Sequence, residues 1–180
     1  MVEEFTVDED SPKPDCIACT EAKQHVKPFP KSSIRKTEAG ELTHIDLWGK
    51  YLIRSINGHQ YYLLLVDDAK RFATVECIKQ KLDAAQAVIN YLAHLKTQGR
   101  NLKGIQIDCG KEFIKGKLEN WCMEHSMEIC YTVPYSPSQN GIAKQMNCTL
   151  VELSQAMIIT NDLPKFLWEY AILHAAYLHN

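Results

Sequence analysis

No stretch of 18 consecutive apolar residues occurs in this 180-residue chain, so no segment is long enough to cross a bilayer as a helix. Nor does the chain open with a basic region followed by an apolar one. Residues 1–15 instead hold Glu3, Glu4, Asp8, Glu9 and Asp10, and no secretory leader is expected. Cysteine is odd in number at seven, which argues against a disulfide framework. Reduced thiols in an intracellular protein, nuclear or cytoplasmic, are the expectation. Neither sign of charge dominates: 20 Lys and Arg face 22 Asp and Glu, for a net charge of −2. There is no global pull toward nucleic acid, and any attraction must come from a local patch. Metal-ligand spacings are equally thin. Cys16 and Cys19 stand at zinc spacing, but no second cysteine pair and no histidine pair accompanies them, and His25 is alone. Tetrahedral zinc needs four ligands, so zinc is not expected. What remains is a hydrophobic fraction of 46%, ordinary for a globular protein, in a length that suits one domain and a tail.

Taken in order, residues 1–15 read as an acidic, disordered, solvated tail. Residues 16–37 follow, with Lys23, Lys27, Lys31, Arg35 and Lys36 among prolines and serines. This segment is either a linker that can track a phosphate backbone or a solvated connector. The core is expected over 41–180. Residues 42–48 alternate as a strand with Asp46 near its end, and 60–66 form a second strand after an Asn57-Gly58 turn. The second apolar run is nearly continuous, which suggests a sheet centre covered on both faces. A turn at Asp67-Asp68 leads to a third strand, 72–78. A helix over 82–98 carries Ala84, Val88, Leu92 and Leu95 on one stripe and stops at Gly99. A fourth strand, 102–108, ends at Asp108. Then come a helix over 115–126, a fifth strand over 127–133, a long helix from Ile142 to about Thr160, and a last helix over 164–179. Asp162 is expected to cap that last helix, with Pro164 in its first turn. The order β-β-β-α-β-α-β-α-α implies a mixed five-stranded α/β sheet with helices on both faces.

The chain is organised around residues 134–150. Two prolines, Ser136, Ser138, Asn140 and Gly141 oppose regular structure up to Gly141. From there Ile142, Met146, Leu150, Leu153 and Met157 recur at helical spacing. A loop that hands over to a rigid helix is a good place to hold a substrate near a fixed group. Two acids, Asp46 and Asp108, stand at strand ends. Thirty-five residues separate Asp108 from Lys144 on the long helix.

Several ordered motifs carry a family resemblance. They are Cys16-x-x-Cys19, His44-Ile-Asp46-Leu-Trp-Gly49, the run 61–68 with Arg71, Asp108-Cys-Gly110-x-Glu112-Phe113, Gln139-Asn-Gly141, and Leu163-Pro with Trp168, Ala171 and Asn180. Together they resemble the integrase catalytic core of copia-type LTR retrotransposon Pol polyproteins, in the ribonuclease-H-like superfamily. The resemblance implies a ribonuclease-H-like fold in which strands one and four are neighbours. It implies that Asp46 and Asp108 are catalytic carboxylates binding Mg²⁺ or Mn²⁺, and that position 144 is where the third carboxylate belongs. It implies DNA contacts at Gln139, Asn140, Gly141, Lys144 and Asn147, with Lys23 and Lys27 in the linker, and a homodimer made through core helices. Cys16 and Cys19 then match half of an upstream zinc-binding segment, a remnant.

The departures cluster at the same place. Lys144 stands at the third acid. An ammonium donates hydrogen bonds and accepts none, so it cannot ligate a metal, and its charge opposes a divalent ion. Gln145 and Cys148 stand where the family has Arg, and Cys109 and Lys111 depart from its pattern after the second acid. The reading is a retrotransposon-derived integrase core without strand-transfer activity, holding at most one metal ion and keeping weak, vestigial DNA binding. A fragment or decayed copy is expected from its ends. The alternatives are an active metal-dependent nuclease or transferase using Asp46 and Asp108, and a non-enzymatic, host-adopted interaction module.

Overall fold

Five consecutive residues, Tyr62, Leu63, Leu64, Leu65 and Val66, are fully buried in one strand. A strand sends alternate side chains to opposite faces, so such a run requires cover on both sides. In the computed structural model, Leu63 and Leu65 enter one core and Tyr62, Leu64 and Val66 enter another. The residues described are 36, 38–107, 116–132 and 140–180. The acidic tail over 1–15, most of the 16–37 segment with Cys16, Cys19, Lys23 and Lys27, and the positions Asp108 and Gln139 lie outside them.

The strands are β1 (Leu42–Gly49), β2 (Tyr61–Asp67), β3 (Ala73–Ile78), β4 (Gly104–Ile107) and β5 (Glu128–Tyr131). The helices are α1 (Ala84–Thr97), α2 (Lys117–Glu124), α3 (Gly141–Thr160) and α4 (Trp168–His179). The sheet order is β3-β2-β1-β4-β5. β1–β2 and β2–β3 are antiparallel, whereas β1–β4 and β4–β5 are parallel. This is the expected mixed five-stranded sheet, with β1 beside β4. α1 and α2 supply Ala84, Val88, Leu92, Leu118 and Cys122 to the first core. α3 and α4 supply Met146, Leu150, Trp168, Ile172 and Ala175 to the second. Among the described residues no helix is long and apolar enough to cross a membrane.

Turn chemistry follows the sequence in most places. Gly58 N–H donates to Ser55 O at 2.8 Å, closing the expected turn. Gly99, at φ +74°, ends α1 with paired bonds from Gly99 N–H to Lys96 O and from Arg100 N–H to Leu95 O. Asp162 departs from expectation. It does not cap the last helix but takes the same left-handed position after α3, at φ +47°. Asp162 N–H bonds Ile159 O and Leu163 N–H bonds Ile158 O, so this residue closes α3. A 3₁₀ turn, Lys165–Leu167, then leads into α4. Leu153 also departs, because it faces solvent. The buried stripe of α3 runs through Ala143, Met146, Asn147, Leu150 and Ser154. Ser154 satisfies its hydroxyl on Val151 O at 2.9 Å and is small enough to pack closely.

Asp67 and Asp68 are structural. Asp67 accepts N–H bonds from Gly40 at 2.6 Å and Lys70 at 2.7 Å. Asp68 accepts from Lys36 N–H at 2.7 Å and lies 3.0 Å from His44 Nε2, while its own N–H reaches Leu42 O. Together they pin the start of β1. Burial acts to raise the Asp68 carboxyl, but the Lys36 N–H, His44 and Arg71 outweigh it and hold it below its ordinary value. A depressed folded value adds stability above the unfolded value of about 3.9 and loses it as pH falls through the folded one. Asp68→Asn is therefore expected to cost about 1.5–3 kcal/mol at pH 7. The gap between native and variant should close as pH drops below about 4. Urea titrations at stepped pH check this, and a pH-independent gap would contradict it. In the first core, Leu65→Ala is expected to cost about 2–5 kcal/mol by thermal or urea unfolding. The exposed Leu82→Ala should stay within about 0.5 kcal/mol of native.

Candidate functional site

α3 begins where turn-forming residues give way to apolar periodicity, at Gly141. The residue before it, Asn140, is fully buried, and its side chain does not cap the helix. Instead its Nδ2 donates across to Ile45 O on β1 at 2.9 Å. Asn147 is also buried, at 2% exposure, two turns on. Its Nδ2 donates to Asp46 Oδ2 at 3.2 Å, and its Oδ1 accepts the Tyr62 hydroxyl. Residues at i, i+4 and i+7 share one face of a helix. The stripe Asn140, Lys144, Asn147 therefore runs along β1, with Lys144 between the residue that touches Ile45 and the one that touches Asp46.

The polar chain Tyr62–Asn147–Asp46 has a fixed direction. Burial pushes the Tyr62 phenol far up, and the neighbouring Tyr51 and Asp46 add to that. Tyr62 thus stays protonated and can only satisfy itself as a donor to the Asn147 carbonyl. That orients the Asn147 amide N–H toward Asp46. The parallel register pairs Ile45 with Ile107, the residues immediately before Asp46 and Asp108.

Each expected site residue can now be located. Asp46 is half-buried on β1 and Lys144 is half-buried on α3. Gly141 is the first residue of α3. Asn140 and Asn147, expected at DNA, are buried; Asn147 spends both ends of its amide on Asp46 and Tyr62, whereas Asn140 spends Nδ2 on Ile45 O and its buried Oδ1 has no partner among the described residues. Asp108, Gln139, Cys16, Cys19, Lys23 and Lys27 lie outside the described residues. Sequence reasoning missed Tyr62, which reads as one more apolar residue in the β2 run. The signal was a hydroxyl inside a strand with no polar neighbour in sequence: a buried hydroxyl needs a partner.

Comparison with known proteins places this arrangement. The model of a family described as integrase core domain matches residues 36–137. The chain is 35% identical over 166 residues to the retrovirus-related Pol polyprotein from transposon TNT 1-94 of Nicotiana tabacum, covering 92% of this chain and 12% of that protein. It is 26% identical, over 92% of its length, to the corresponding polyprotein from transposon RE2 of Arabidopsis thaliana, of which it covers 11%. The chain thus spans only 11–12% of the length of these relatives. In fold it is similar to a chain of the simian T-cell lymphotropic virus intasome solved in complex with PP2A regulatory subunit B56 gamma. That match has a TM-score of 0.67 at 22% identity and covers 90% of this chain and 56% of the other.

Integrase cores use divalent metal ions. Among the described residues no three His, Cys, Asp or Glu side chains come together. Asp46 offers one carboxylate, already accepting an amide N–H, and Asp108 lies outside the described residues. Hard divalent ions want several anionic oxygens. The Tyr62–Asn147 bond gives a direct check. Asn147→Ala strands a buried hydroxyl and is expected to cost about 1–3 kcal/mol in urea unfolding. Adding Tyr62→Phe removes the stranded donor and should recover part of that loss. Additive costs would rule out the coupling.

Proposed function

This chain belongs to the integrase core domain family, and from that premise we propose that it is a retrotransposon-derived integrase core that engages DNA without strand transfer. One observation carries the reading. Lys144 lies on the α3 stripe between Asn140, bonded to Ile45 O, and Asn147, bonded to Asp46. In this reading the position that supplies the third acid in the family turns a cation toward the first acid. Phosphoryl transfer by two ions needs both the attacking and the leaving oxygens clamped. An ammonium there supports phosphate contact and opposes a second ion. Asp46 and Asp108 keep at most one Mg²⁺ or Mn²⁺. In this reading residues 41–180 are the core-like domain, 16–37 a zinc-segment remnant and basic linker, and 1–15 an acidic tail.

A second reading, a non-enzymatic interaction module, is favoured by the outer face of α4, where Tyr170, Leu173, Tyr177 and Leu178 are exposed. α4 and α1 are the helices through which a homodimer would form. Sedimentation that stays monomeric at high concentration would argue against it.

The deciding assay is strand transfer and 3′-end cleavage on short duplex DNA with Mn²⁺. The native protein is expected to give no product, and Lys144→Glu to give joined DNA. Joining by the native protein overturns the proposal. Product from neither, with DNA still bound, leaves binding as the function.

A further inference from the structure

Trp48 is 45% exposed, and its indole bonds the Tyr51 hydroxyl by its edge. Side chains two apart on a strand share a face about 7 Å apart, so Asp46 and Trp48 lie on the α3 side of β1. The cross-strand partner of Trp48 is the fully buried Tyr62. Trp48 would be buried with it if it filled the same core. Instead Tyr51 takes that place. Its ring stacks on Trp168 at 4.1 Å and 8° and lies 6.2 Å from Tyr62. The Trp48 residue itself is left 45% exposed.

The turn that does this is fixed. Gly49 sits at φ +121°, where an added Cβ would fall 2.7 Å from Gln60 O. Tyr51 N–H donates to the same oxygen at 2.8 Å. Residues Leu47 to Tyr51 enclose an open cavity of about 470 Å³, within the size range of small-ligand sites. Lys50 lines it, Arg54 follows in the loop, and residues 47–54 contain no acid. In a chain of net charge −2 this is a local cationic patch around an exposed aromatic ring. Aromatic rings stack bases and cations track phosphates.

We infer that Trp48 and Lys50 form a subsite beside Asp46 for one unpaired nucleotide of single-stranded or frayed nucleic acid, the base on the indole and the phosphate at the ammonium. The inference rests on the nucleic-acid reading above and adds to it a requirement for a free base.

The test compares fluorescence anisotropy of a labelled oligodeoxythymidine of about 12 nucleotides, within the range of single-strand site sizes, with an abasic oligonucleotide of equal length and charge. Native protein is expected to prefer the base-bearing strand and to show tryptophan quenching on binding it. Trp48→Ala should weaken that binding by about 5- to 140-fold, the span for stacking one base, abolish the quenching, and leave abasic binding unchanged. Trp48→Phe keeps a ring and should retain most of the preference. Lys50→Gln should weaken both strands and lower the salt slope by about one. Equal binding of the two strands by native protein, or a preference that survives Trp48→Ala, overturns the subsite and leaves DNA binding standing. No binding to either strand or to duplex DNA overturns both. Unchanged melting temperatures for the variants keep loss of binding separate from loss of fold.

Discussion

The structure depends on burying the β1–β2 pair from both sides. β2 places five consecutive apolar or aromatic residues in the interior, and no one-sided sheet can do that. Two helix layers are required, α1 with α2 on one face and α3 with α4 on the other. Once α3 is committed to that face through Met146 and Leu150, its start is carried along β1, where Asn140 reaches Ile45 and Asn147 reaches Asp46. The position of the candidate site is thus a consequence of core packing.

Polar groups at this edge are held by a chain whose direction is set by burial. Tyr62 cannot ionise where it is, so it donates, Asn147 must accept, and the amide then presents its N–H to Asp46. The opposite end of β1 is pinned by Asp67 and Asp68 on backbone N–H groups. At the far side of the second core, Glu169 of α4 holds the β1–β2 loop. Asn57 donates to it at 3.1 Å and His59 lies 3.0 Å away. Asn180 bonds both the N–H and C=O of Ala73, each at 2.8 Å, tying the end of α4 to edge strand β3. A strand that carries a half-buried acid is therefore fixed at both ends and along one face.

Much of this was legible without coordinates. Element order, the two-sided sheet, the Gly58 and Gly99 turns, the long helix expected from Ile142 and found from Gly141, and the family all follow from periodicity, turn residues and ordered motifs. The failures share a cause. Asp162 was assigned to the helix after it because Asp is a good N-cap, but its left-handed backbone closes the helix before it. Leu153 fitted a helical stripe, yet the face that packs is the neighbouring one, where Asn147 and Ser154 replace apolar residues. Asn147, expected at DNA, is buried and bonded to Asp46 and Tyr62.

The sequence by itself determined which chemistry is available here: acids at 46 and 108, a lysine where a third acid belongs, and cations without acids over 47–54. Side-chain identity sets charge and donor capacity wherever the residue ends up. Only the tertiary structure decided which groups are spent and which are free to act. Asn147 is consumed by Asp46 and Tyr62, and Tyr51 takes the buried place against Trp168 while Trp48 stays 45% exposed. Those outcomes turn on long-range packing between β1, β2, α3 and α4, and local pattern carries no record of which of two competing side chains wins a buried place.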